Sequence, residues 1–267
     1  MKESMDRLPT LVAGGIGRKI VLLDVVDSTN TFAMGLTGGE SAHGTVVIAE
    51  RQTKGRGRMG RDWTSQPGLD ITMSVILKPS IIVSDVTLLT VLASVACCSG
   101  LRETTGLRVT LKWPNDLMVT GKKIGGILTE IRAAAGKVTA AVIGIGINLN
   151  SSGNDLPPEV KTRATSVKNE TGRKFERTPV IAAICDGLDS WYETFLREGS
   201  GRLLDAWRNL ASMLGSFVTV TSGEVTLRGV AKDIDDRGML LLELPSGAVK
   251  KLSSGEVTLS GEDGSAK

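Results

Sequence analysis

Four cations, Lys54, Arg56, Arg58 and Arg61, are interleaved with three glycines, Gly55, Gly57 and Gly60, just ahead of Asp62 and Trp63. Glycine frees the backbone to curl and lets its N–H groups approach a ligand closely. Curled N–H groups form an anion-binding nest, and guanidinium forks grip phosphate or carboxylate oxygens in pairs. Held shut without a ligand, such a loop would suffer repulsion among its own charges. The stretch therefore reads as a loop that orders around a phosphate-bearing ligand, the alternative being a solvated surface loop. Its spacing also matches G-x-G-x-x-G, and a strand-like run, residues 45–50, precedes it. A dinucleotide fingerprint requires a helix to open at the glycines. Pro67 and Gly68 follow instead and break any helix. That reading is excluded on context.

A chain of 267 residues accommodates one large domain or two unequal ones. A net charge of +3 is too small for wholesale nucleic-acid binding but leaves room for a local basic site, and 3% aromatics argues against stacking platforms for single strands. Cys97, Cys98 and Cys185 are odd in number and lie in apolar helical patterns, as buried thiols of a reducing compartment do. The single histidine, His43, excludes multi-histidine metal sites and weighs against a Ser-His-Asp mechanism. No N-terminal signal region is visible, and no apolar run is read as approaching the ~18 residues of a membrane span. The expectation is a cytoplasmic protein with no membrane partner.

In chain order, residues 20–26 read as a strand, followed by Asp27-Ser28-Thr29-Asn30 and a helix to Leu36. Asp27 or Ser28 is a candidate N-cap, and the same hydroxyls could bond a polar ligand head group. The strand at 45–50 runs through Gln52 into the basic loop. Residues 70–77 alternate as a strand, and 83–103 carry helical spacing. A short strand, 109–111, delivers Lys112-Trp113-Pro114-Asn115-Asp116, a turn that presents a lysine and an aspartate with little slack. The alternative is a structural turn closed by a Lys112–Asp116 pair. Two strands follow, 123–130 with Gly125 and Gly126, and 138–147 with Gly144 and Gly146 alternating beside Asn148. Glycines inside strands mark close approach by a ligand or another backbone. Residues 151–177 read as loop, and 179–196 and 202–213 as helices with apolar stripes. From 215 onward short alternating strands predict a small closed β-barrel. The domains expected are 1–214 and 215–267.

The stretches DSTN (27–30), GRGRMGRDW (55–63), KWPND (112–116), KKIGGILTE (122–130), GIGINLN (144–150) and Gly255-Glu256-Val257 together resemble the biotin–protein ligases, over Val21 to Leu259. The resemblance implies an α+β fold: a mixed sheet with covering helices, like a class II synthetase, then an SH3-like barrel. It implies ATP- and Mg²⁺-dependent activation of biotin as biotinyl-5′-adenylate, then transfer to a lysine of a biotin carboxyl carrier domain. Biotin would be held by Ser28, Thr29, Asn30, Gln52, Gly55, Arg56, Gly57, Arg58, Lys123 and Gly126. ATP would be held by Arg56, Arg58, Trp63, Lys112, Asn115, Lys123 and Asn148, with Trp63 covering the adenine. Arg58, Lys123, Lys112 and Asp116 would act on the reacting groups, Asp116 as the base for the incoming lysine. No metal ligand is identified. About twenty residues precede the first strand, so the class expected is the monofunctional one without a DNA-binding domain, and a homodimer through a sheet edge is implied by analogy. Met59 stands where a second basic residue often occurs, and Ile124-Gly125 departs from the usual pair. A lipoate or octanoate ligase or transferase of the same broad fold is the nearer rival, and a nucleic-acid-binding regulator the remoter one.

Overall fold

The computed structural model describes residue 5 and residues 7–39, 42–153, 155, 157–158 and 160–259. Seven strands build one mixed sheet: β1 Ile20–Val26, β2 Val46–Gln52, β3 Ile71–Leu77, β4 Thr110–Lys112, β5 Asp116–Val119, β6 Lys122–Ala134 and β7 Lys137–Ile147. Their order is β1-β2-β3-β7-β6-β5-β4, parallel between β1 and β2 and antiparallel elsewhere. The helices are α1 Leu8–Leu11, α2 Thr29–Leu36, α3 Val86–Thr105, α4 Val167–Thr171, α5 Arg177–Glu198 and α6 Gly201–Leu210.

Successive strand residues face opposite sides of a sheet, and two cores result. Val46 and Ile48 of β2 join the main core with α3 and α5, while Val47 joins Ala33 of α2, Ile76 and Val142 in a smaller one. The crossover helix α2 thus packs on one face and the long helices on the other. At the β6–β7 end of the α2 face the strands carry glycine and polar residues, and there the site forms.

Helix α3 corrects one expectation. With its leading turn it spans Val83–Thr105 at mean hydropathy 1.6, long and apolar enough to cross a membrane by length and composition. It lies instead against α5, α6 and the sheet, with Leu89, Leu92, Cys97 and Leu101 fully buried. A helix hydrophobic nearly all round is what a protein core also demands. Cys185 packs in the same core, and burial pushes its thiol up to about 12 and that of Cys98 to about 11. His43 accepts a hydrogen bond from the Lys78 amide on Nδ1 and packs near Tyr192.

Strands β8 Phe217–Ser222, β9 Val225–Ile234, β10 Leu240–Glu243, β11 Val249–Leu252 and β12 Glu256–Leu259 form a second, antiparallel sheet in the order β11-β10-β9-β8-β12. The hydrogen-bonded order is open among the described residues, so the closed barrel expected from the sequence is described as a five-stranded sheet. It shares the main core: Val218, Val220 and Leu240 pack with Met213 and Trp113, and Trp113 Nε1 donates to the Gly238 carbonyl at 3.0 Å. The segment 151–177, read as loop, contains α4, capped by Ser166, whose hydroxyl accepts from the Asn169 amide. Five residues are too few to show a helical period.

Candidate active site

The floor of the site is a row of partners across the sheet. Lys112 faces Asp116, Asp116 faces Gly126, Gly126 faces Gly146, and Gly146 faces Thr72. The next row runs Leu128, Gly144, Ser74. Paired residues share a face, so the alternating glycines make two gaps side by side. Each gap is filled from above. A Cβ on Gly146 would overlap the Trp63 indole, and one on Gly144 would overlap the Asn30 amide.

A register shift between β5 and β6 at Leu117/Met118 re-aims one side chain. Gly126 faces the site and Ile127 the core, so strict alternation would send Lys123 inward. With the shift, Ile124 is buried in the main core instead and Lys123 lines the site. Lys123 Nζ lies 2.5 Å from Asp116 Oδ1 and 5.9 Å from the Trp63 ring centre. The sequence suggests Lys112 as the partner of Asp116, and the structure adds Lys123. Lys112 and Asp116 are strand partners, and the Asp116 carboxylate pairs with Lys123. Asn115 is fastened to β6 by its Nδ2, which donates to the Ile127 carbonyl at 2.7 Å.

At the α2 end, a buried hydrogen-bond network is complete. The Thr29 amide and hydroxyl donate to Gln52 Oε1 at 2.7 and 3.0 Å. The Ser74 hydroxyl lies 2.7 Å from that of Thr29 and 2.6 Å from Asn30 Oδ1. Asn30 Nδ2 donates to the Leu128 carbonyl at 3.2 Å and to Glu130 Oε2 at 2.8 Å. Ser28 occupies the N-cap position of α2 but makes no capping hydrogen bond through its side chain, which lines the cavity.

The basic loop is a tight hairpin. The Trp63 amide donates to the Gly55 carbonyl at 2.9 Å and the Gly57 amide to that of Arg61 at 2.7 Å, with Met59 and Gly60 at φ 58° and 73°. Its arginines do not simply repel, because Arg56, Arg58 and Arg61 each have a partner elsewhere. Arg56 NH2 lies 3.0 and 2.9 Å from the two oxygens of Glu130. Arg58 NH1 donates to Asn115 Oδ1 at 3.4 Å. Arg61 grips both oxygens of Glu256 in the second sheet. Burial pulls the Arg58 guanidinium below its usual range, with Asp116 opposing. The hydrogen bond from Arg61 holds Glu256 below the usual glutamate range, helped by the charges of Arg163 and Lys112.

These parts enclose one cavity of about 990 Å³. It is lined by Ser28, Thr29, Asn30, Gln52, Arg56, Gly57, Arg58, Trp63, Lys112, Asn115, Asp116, Lys123, Gly126 and Asn148. Of the expected site residues only Gly55 is absent from the wall, where it anchors the hairpin with its carbonyl. Sequence reasoning missed Ser74, Glu130 and Arg163. Ser74, with Thr72 one of two buried polar residues in strand β3, was a signal that could have been read. Arg163 belongs to the segment taken as loop, which pairs beside Lys123 through the Lys123 amide and Arg163 carbonyl at 2.8 Å.

The Biotin/lipoate A/B protein ligase family model matches residues 22–148, and the Biotin protein ligase C terminal domain model matches 213–260. The bifunctional ligase/repressor BirA of Bacillus subtilis is 39% identical over 91% of this chain and 75% of its own length. The biotin--[acetyl-CoA-carboxylase] ligase of Paracoccus denitrificans is 31% identical over 85% of this chain and 95% of its own. Among solved structures, the biotin protein ligase from Aquifex aeolicus in complex with biotin and ATP superposes with a TM-score of 0.76 at 30% identity, covering 91% of this chain and 98% of that one. The glycine floor, the paired Lys123 and Asp116 and the basic hairpin thus occur in a chain that belongs to the biotin–protein ligase family.

Proposed function

We propose that the cavity joins biotin to ATP and passes the product to a protein lysine. The chain is an ATP-dependent biotin–protein ligase, and its partner is the biotin carrier of a carboxylase. The observation that carries this reading is a single cavity whose two ends differ. One end is a complete hydrogen-bond network, the other is lined by Arg58, Lys112, Lys123 and Arg163, and the two meet at Lys123 and Asp116.

In the proposed sequence, Ser28, Thr29, Asn30 and Gln52 orient the ring of biotin. Its carboxylate oxygen attacks the α-phosphorus, and the bond to pyrophosphate breaks. Arg58 and Lys123 neutralise charge on that phosphorus in a position fixed beforehand. Trp63 covers the adenine over Gly146, and Asn148 bonds its edge. A carrier lysine, ordinarily protonated near pH 7, then loses its proton to Asp116 and attacks the anhydride carbonyl carbon. The carbon–oxygen bond to phosphate breaks and AMP leaves. Mg²⁺ accompanies ATP in this proposal. Among the described residues no group of three or more His, Cys, Asp and Glu side chains could hold a metal. Residues 1–214 form the catalytic unit and 215–267 a unit that supports the loop through Glu256.

Exchange of labelled pyrophosphate into ATP, without any acceptor protein, tests the reading. Biotin should support exchange. Support by lipoate and none by biotin would overturn the substrate assignment.

A further inference from the structure

Glu130 has no part in the scheme above, yet it joins the two ends of the cavity. Its Oε2 accepts from Asn30 Nδ2 at 2.8 Å and from Arg56 NH2 at 2.9 Å. The Leu128 carbonyl takes the other Asn30 amide proton. Both donors of that amide are therefore consumed, so it can offer a ligand only the remaining acceptor capacity of Oδ1. That oxygen, seated in the Gly144 gap, already receives Ser74. The orientation of the amide is not free: turned over, it would set its oxygen against a carboxylate and a carbonyl. Arg56, for its part, belongs to the hairpin that carries Arg58, and Glu130 is its partner across 74 residues of chain. Glu130 stands on β6 outside the glycine rows, a strand-mate of Val142.

We propose that Glu130 is a positioning residue that sets both the Asn30 acceptor for an N–H-bearing ring and the closed place of the phosphate loop. The inference rests on the ligase reading above. The carboxylate itself touches neither reacting group. Because Asn30 and Arg56 share one oxygen, disturbing either bond disturbs the other, so ring recognition and loop closure are coupled through it.

The test is Glu130→Gln and Arg56→Gln, singly and combined, with Glu130→Asp as the conservative variant. Four quantities are read: the biotin KM in pyrophosphate exchange, the rate at which labelled biotinyl-adenylate leaves the enzyme, the single-turnover rate of transfer from bound adenylate, and the melting temperature. Losing charge-assisted bonds to both neighbours should raise the biotin KM and the escape rate about tenfold each. In Glu130→Gln, transfer from bound adenylate and melting should stay near wild type. Glu130→Asp should recover part of the loss, and the double variant should be little worse than either single one, as coupled residues require. The proposal is overturned by unchanged KM and escape, by additive losses, or by a parallel fall of all four quantities. If the wild-type enzyme shows no biotin-dependent exchange, the ligase reading itself has failed, and that result is separate from the variants.

Discussion

The two ends of the cavity are stabilised in opposite ways. At the ring end, Thr29, Asn30 and Ser74 are buried, and their hydrogen bonds run among one another and to Gln52, Leu128 and Glu130. At the phosphate end, the side chains of Arg56 and Arg61 are 46% and 59% exposed and rest on single carboxylates. A half-satisfied buried polar network is costly, so the first end must be complete whether or not a ligand is bound. An exposed ion pair is worth only ~0–1 kcal/mol, so the second can exchange its carboxylate for phosphate at small cost. Recognition of the ring is thus set in advance, whereas the grip on phosphate is adaptable. Lys123 and Asp116 lie where the two regimes meet.

The largest effect should come at that meeting point. Asp116→Asn keeps the size but loses the charge and the basicity, so transfer to a carrier lysine should fall ~10²–10⁴-fold while adenylate formation falls much less. Single-turnover measurement of each step at two pH values checks this. Higher pH should partly restore transfer, because more acceptor lysine is then neutral. If Asp116 serves only to hold Lys123, both steps should fall together and pH should restore neither. Next comes Arg58→Gly at the adaptable end. Removing a charge-assisted contact of roughly 1.5–3 kcal/mol and adding slack should speed escape of the adenylate by ~10- to 100-fold. Retention of labelled adenylate on a desalting column reports it.

Ser74→Ala attacks the end set in advance. A buried acceptor left unmatched should weaken biotin by about 1–2 kcal/mol, and the loss should not depend on salt. Calorimetric titration at two ionic strengths separates this from the Arg58 effect, and equal salt dependence at both ends would break the contrast. The smallest effect should be Arg61→Gln, an exposed contact whose loss should raise the ATP KM ~2–5-fold. Its partner fixes the pH window. The Glu256 carboxyl is held below the usual glutamate range by Arg61, so the bridge is fully present above the unfolded value of ~4.3 and is lost as pH falls through the lower folded value. Melting curves from pH 7 down to 3 should show a step in the wild type that Arg61→Gln lacks.

The local chemistry of this site was legible in the chain itself. Glycines at 126, 144 and 146 pointed to close approach by a ligand or to tight sheet packing, and a loop of interleaved glycines and arginines to an anion or a solvated surface. Lys112 through Asp116 announced a stiff turn bearing a lysine and an acid. The alternation of β2, β3 and β7, and the stripes of α5 and α6, were visible as periods of two and 3.6. What no local pattern carries is a partner brought from far along the chain. Arg61 meets Glu256 across 195 residues, Asn30 meets Glu130 across 100, and the Trp113 indole meets Gly238 across 125. The pairing of Asp116 with Lys123 depends on a register shift between two strands, which is a property of the sheet and not of either segment. Sequence determines which groups are available and how each strand or helix faces. Register and long-range packing decide which of those groups touch, because hydrogen bonds and ion pairs require separations of about 3 Å that only the folded sheet provides.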